Sequence, residues 1–219
     1  MSFQEQLEKM KNIHKNLLEF IEKEDGMEEN HQNLFNILDE QKIHKNRYEL
    51  KSFLHMLTSI ADNHYRSTNF FSKIERILSK FKDEIKNFYS NYEIFSIFGS
   101  NKRILLFLIE ENLITLDKTI QSLISSGKYK KANYPLYFLT ETKLPNFEEN
   151  RKLGENENNI CKLIREDNID DFISFVNQNN SSLQTVISPS LFESNLYLLT
   201  KSPTLIELAT FFGSIQVFN

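Results

Sequence analysis

Apolar residues in the first third of the chain recur at alternating steps of four and three. Phe3, Leu7, Met10, His14, Leu17 and Ile21 form one stripe, the spacing of a single helical face. It predicts a helix over residues 3–24 that ends near Asp25-Gly26. The stripe is long enough for a short coiled coil with His14 on its seam. Ile13, Leu18 and Phe20 widen the apolar face beyond such a seam, which favours packing of this helix on its own domain. A second block over residues 33–64 carries Leu34, Ile37 and Leu38, then Leu50, Phe53, Leu54, Leu57 and Ile60, with a break near Lys45-Asn46. Ser67 or Thr68 is the expected N-cap of the next helix. Its positions Phe70, Phe71, Ile74, Ile77, Leu78, Phe81, Ile85 and Phe88 make the cleanest amphipathic face, with Glu75, Arg76, Lys80, Lys82 and Asp83 on the wet side. Residues 1–90 therefore read as an N-terminal bundle of long antiparallel helices.

The pattern shortens after Asn91. Residues 92–98 predict a short helix closed by Gly99, and residues 102–111 another followed by a turn at Asn112. A third runs from Thr115 to Ser126-Gly127. Two more are expected over residues 158–166 and 169–177. Before these two, residues 128–154 hold Pro135 and Pro145, with the aromatic segment 134–138 among them, and read as a loop. The expected fold is all-α, with residues 91–200 forming degenerate helix-pair units and 201–219 beginning a further one.

In these pairs an apolar helix ends at a small or amide residue able to take a left-handed backbone, and a second helix follows. Leu105, Leu108 and Ile109 precede Asn112; Ile160, Leu163 and Ile164 precede Asn168; Leu205, Leu208 and Ala209 precede Gly213. Leu116, Phe172 and Val217 each follow the turn residue by four positions. Asn112, Asn168 and Gly213 stand 56 and 45 residues apart, so insertions are required if the underlying period is that of an ankyrin repeat, about 33 residues.

The last copy, residues 203–218, resembles the first helix and inter-helix turn of an ankyrin repeat. Thr204 stands at the opening threonine that caps the first helix, Leu208 and Ala209 at the inner-helix core, Gly213 at the positive-φ turn, and Val217 with Phe218 at the outer aliphatic pair. Leu205 in place of the proline and Glu207 in place of the histidine depart from the T-P-L-H-x-A opening and mark an atypical first repeat. Together with residues 92–99, 103–113 and 157–167, the chain resembles an uncharacterised all-helical domain family that precedes ankyrin arrays in protist proteins. The resemblance implies a helical cap and scaffold with no assigned ligand. Phe211, Phe212, Ile215 and Phe218 would lie uncovered on the open edge of the incomplete unit. They are the candidate interface, and truncation of a longer protein is the preferred explanation for it.

Only five glycines and four prolines interrupt the chain, whereas nineteen phenylalanines and eight tyrosines supply a core, which suits long helices. With a net charge of −4 and basic residues interleaved with acidic ones, no nucleic-acid face is expected. The short basic runs at Lys128-Tyr129-Lys130-Lys131 and His44-Lys45-Asn46-Arg47 read as solvated faces. No apolar run is long enough for a membrane span. The polar N-terminus carries no signal-peptide core, so a cytoplasmic protein is expected. Cys161, the one cysteine, reads as a small buried hydrophobe between Ile160 and Leu163.

No GxGxxG, Walker-type, GxSxG or HExxH pattern occurs, and Gly99-Ser100-Asn101-Lys102-Arg103 holds too few glycines for a phosphate nest. His55 and His64, on one predicted helix, would lie about 13 Å apart along its axis, too far to share a metal ion. Asp170 and Asp171 suit a helix N-terminus. No catalytic residue, metal or cofactor is expected. The sequence thus reads as a non-catalytic protein-protein interaction scaffold, not an enzyme, with a protein partner that it does not identify. Self-association through the N-terminal stripe or the open C-terminal edge is the alternative.

Overall fold

Ser2 opens the first helix with a capping box: its hydroxyl accepts from the Glu5 amide and its own amide donates to the Glu5 carboxylate. Such reciprocal bonds satisfy two of the donors that every helix start leaves orphaned. The helix they open, Phe3–Glu22 (α1), is the first of fourteen α-helices among the described residues, which contain no strand. The computed structural model describes residues 2–23, 28–63, 69–127, 134–140 and 146–218; the side chains of residues 28–30, 196 and 218 are not among them. No helix among the described residues is long and apolar enough to cross a membrane.

The chain divides into two compact units. The first comprises Met1–Gly99 and Phe107–Leu116, the second Ser100–Leu106 and Asp117–Asn219. In the first unit α1 is followed by Glu28–Glu40 (α2), a 3-10 turn at Ile43–Lys45, Arg47–Asn63 (α3), Phe70–Lys80 (α4), Lys82–Phe88 (α5) and Asn91–Phe98 (α6). The helix α1 packs on α2 and α3, and α3 packs on α4 and α6. The core is apolar: Leu50, Phe53, Leu54 and Leu57 of α3 are buried with Ile74, Ile77 and Leu78 of α4, and Phe53 meets Phe81 edge-on at 5.6 Å between ring centres.

Two differences from the sequence reading arise here. Only Ile13, Leu17, Phe20 and Ile21 of α1 are buried, while Phe3 is 78% exposed and Leu7 38%. The stripe thus follows the wider face set by Ile13 and Phe20, and its first half does not enter the core. The single helix expected over residues 70–88 is broken at Phe81, whose φ of −104° and ψ of 19° end α4 and start α5. The expected N-cap at Ser67 or Thr68 lies outside the described residues, as do His64 and the run 128–131. Lys73 on α4 is buried, and its ammonium donates to the carbonyls of Ile21 (3.0 Å) and Lys23 (2.5 Å). It thereby adds a donor to carbonyls at the C-terminal end of α1.

The helix Lys102–Glu110 (α7) contributes residues 102–106 to the second unit and 107–110 to the first. The second unit continues with Lys118–Ser125 (α8), a 3-10 turn at Leu136–Phe138, Phe147–Leu153 (α9), Asn159–Arg165 (α10), Ile169–Gln178 (α11), Leu196–Lys201 (α12), Leu205–Phe212 (α13) and Ile215–Phe218 (α14). The helix α9 falls where the sequence predicted a loop. Asn146 and Gly154 take left-handed backbone at its two ends, Phe147 is buried, and Glu148, Glu149, Arg151 and Lys152 place acidic and basic charge at the ends the helix dipole favours. Rings of Tyr134, Phe138, Phe147 and Phe192 follow one another at 5.5–6.4 Å and form the local core. Helices α9 and α12 were both missed.

Candidate functional site

The second unit sets two helix pairs side by side. α10 packs on α11 and α13 on α14; across the pairs, α10 packs on α13 and α11 on α14. Local chemistry fixes both turns. Asp167 (φ 52°) and Gly213 (φ 60°) are left-handed. The next residue in each case, Asn168 or Ser214, donates its amide five residues back, to Leu163 and Ala209 respectively. This is the 6→1 bond of a Schellman helix end. The left-handed residue of the first pair is therefore Asp167, one position earlier than the expected Asn168, and Asn168 instead caps α11 by accepting from the Asp171 amide. The pair expected around Asn112 shares this helix end, the Leu113 amide donating to the Leu108 carbonyl at 2.8 Å, but not the helix that should follow it. Asn112 is left-handed, but α8 begins only at Lys118, capped by Asp117, and Leu116 is not helical.

Asp167 also links the pairs. Its carboxylate accepts from the amides of Gln216 at 3.0 Å and Val217 at 3.0 Å, capping the first turn of α14. The Ser214 hydroxyl, buried, donates to the Ile164 carbonyl. Thr204 caps α13 through a capping box in which Glu207 accepts from the Thr204 amide at 2.8 Å. That bond and one from the Thr204 hydroxyl hold the Glu207 carboxyl below its usual range. Glu207, a departure from the ankyrin opening, thus has a capping role. Leu208, Ala209 and Val217 are buried, as is Phe212, on which Arg165 stacks at 6.0 Å. The candidate interface is accordingly smaller than expected: Phe212 is covered, Phe211 is partly exposed and stacked parallel on Tyr197 at 5.4 Å, and Ile215 is 65% exposed. The Phe218 side chain lies outside the described residues.

A buried polar cluster, absent from the sequence reading, holds the irregular segment 187–195. Lys102 is 1% exposed; it donates to the Leu191 carbonyl and lies 4.7 Å from the centre of the Phe138 ring. Burial pushes its ammonium down to about 8, against the opposing pull of Glu193 and Glu157. Glu193, 4% exposed, accepts from the amides of Asn195 (2.8 Å) and Asn156 (3.3 Å). Burial raises its carboxyl despite those two bonds and the nearby Arg165. Ser190 donates to Glu157, and Arg103 donates to the Lys152 carbonyl. A small cavity beside Glu193, Asn156, Ser190, Arg165, Cys161 and Leu208 has room for about one water molecule. Burial raises the Cys161 thiol to about 12, so it stays protonated at neutral pH. These side chains spend their hydrogen bonds on backbone that no helix satisfies. One signal could have flagged them: Glu193 is the first charge after residues 172–192, which contain no Asp, Glu, Lys or Arg.

No group of three or more His, Cys, Asp or Glu among the described residues is arranged to hold a metal ion. No protein-family model, curated protein or solved structure matches the chain; among the described residues the fold is all-α.

Proposed function

We propose that the chain is a non-catalytic protein-protein interaction scaffold, the N-terminal cap of an ankyrin-type array. The observation that carries this reading is the side-by-side stacking of α10–α11 and α13–α14, with the Asp167 carboxylate of one pair capping the outer helix of the next. Solenoids of helix pairs are stabilised by such nearest-neighbour contacts. Thr204, Leu208, Ala209, Gly213 and Val217 act as the repeat signature in this reading, and Phe211 and Ile215 belong to the face that receives a protein partner or a further pair. The buried polar groups support a structural role for the cluster, since each is committed to backbone or to a buried neighbour.

Fusion of a consensus ankyrin repeat after Asn219 tests the reading. Stacking predicts one cooperative unfolding transition with a raised midpoint, and loss of that coupling in Ile215→Asp. An appended repeat that melts separately, leaving the chain's own midpoint unmoved, removes the proposal. Self-association through α1 is the weaker reading, because Ile13, Leu17, Phe20 and Ile21 are buried within the first unit.

A further inference from the structure

The segment between α11 and α12 runs beside the entry to α13. Val186 and Thr204 form an isolated antiparallel bridge, in which Ile187 donates to the Pro203 carbonyl (2.8 Å) and Leu205 to the Thr185 carbonyl (3.0 Å). This pattern turns the amide and carbonyl of Val186 away from Thr204. Neither group has a hydrogen-bond partner among the described residues, and the same holds for the Ser188 amide and the Gln184 carbonyl. Val186 is 60% exposed and Leu183 40%. Proteins usually protect such an edge with charge, yet residues 172–192 carry none, and only Pro189 limits the edge at its C-terminal side.

We infer that this edge pairs with the same edge of a second copy of the chain. A residue with both amide and carbonyl free suits a two-fold antiparallel pair, in which the opposed residues exchange both bonds. Val186 faces Val186 of the second copy, and the two exchange both bonds. The ladder stops there: Leu183 and Gln184 lie in a turn closed by the Thr185 amide on the Ser182 carbonyl (2.8 Å), and the Ser188 carbonyl is taken by Asn156. The absence of charge removes the repulsion that identical edges would otherwise meet. So short a ladder gives a concentration-dependent monomer–dimer equilibrium, not an obligate dimer.

Sedimentation of the full chain over a dilution series, with amide hydrogen exchange on the same samples, tests the inference. Expected are a dimer at high concentration, slowed exchange at Val186 in that dimer, and a shift to monomer in Val186→Lys, a change at an exposed side chain. Monomer through the whole series overturns the inference. So does a dimer in which the Val186 amide exchanges as freely as in the monomer. A dimer lost in Ile215→Lys or Leu7→Glu but kept in Val186→Lys also overturns it, and moves association to the C-terminal edge or to α1. None of these results bears on the repeat-fusion experiment, so the two readings fail independently.

Discussion

The first unit is held by oil and the second by wire. In the first, long helices bury continuous apolar faces, and charged groups such as Lys80 and Asp39, paired at 2.8 Å, remain at the surface. In the second, helices are shorter, and the segment 187–195 has no regular partner for its backbone, so Lys102, Glu193, Asn156 and Ser190 are buried to bind it. Apolar burial is forgiving of detail, because repacking recovers part of a loss. A buried polar network is not, since removing one member leaves the others desolvated and unpaired. The difference predicts where each unit is fragile.

The largest effect is expected at Gly154. Its φ is +71°, and an added Cβ would lie 2.8 Å from Cγ of Arg103 and 3.0 Å from the Ser194 hydroxyl oxygen. Gly154→Val should destabilise the second unit by about 4 kcal/mol, since backbone strain and overpacking add. Denaturant unfolding measures the total, and amide exchange shows whether the loss stays in the second unit. Glu193→Ala should follow at about 3 kcal/mol, because it removes the acceptor of the Asn195 and Asn156 amides and one of the acidic groups opposite Lys102 and Arg165, the latter keeping its ion pair with Glu155 at 3.1 Å. A smaller loss than that of Leu57→Ala in the first unit, itself about 3 kcal/mol, would erase the contrast.

Lys102 sharpens the comparison through pH. Its folded value of about 8 lies below the ordinary 10.5. Between those values the unfolded chain binds more protons, so stability should rise as pH passes 8, by up to about 3 kcal/mol at the top of the window. Cys161 acts oppositely: its folded value near 12 exceeds the ordinary 9, so it removes stability above pH 9. The net rise should therefore show between pH 8 and 9 in denaturation curves and vanish in Lys102→Met. In the first unit, Lys73→Met should cost about 2 kcal/mol by removing the buried donor to the Ile21 and Lys23 carbonyls. Asp39→Asn, which breaks a pair that is half-exposed on the Asp39 side, should cost about 0.3 kcal/mol. Comparable losses from those last two changes would mean that the surface ion pair supports the first unit as much as the buried lysine does.

Legibility in the sequence followed the same divide. Helices α1, α3, α6, α10, α11 and α13 could be read because apolar spacing and local caps, such as Ser90 with Glu93 or Thr204 with Glu207, act within a few residues. The helix α9 was hidden by the prolines at 135 and 145, and what anchors it is the contact of Phe147 with Phe192, far along the chain. Lys102 and Glu193 look like surface residues in any local window. Their burial depends on a contact spanning 89 positions, from Lys102 to Leu191, which no periodicity records. The stretch around residue 168 was placed correctly but one residue out of register, because both Asp167 and Asn168 tolerate left-handed backbone and only the hydrogen bonds distinguish them.

Asp167 gives the stacked pairs a direction. The first turn of α14 borrows its cap from a turn about fifty positions earlier. Gly213, which occupies the corresponding place in the second pair, has no carboxylate to hand onward. The support is passed once, from Asp167 to the start of α14, and whatever loosens the turn at Asp167 will be felt first at Val217.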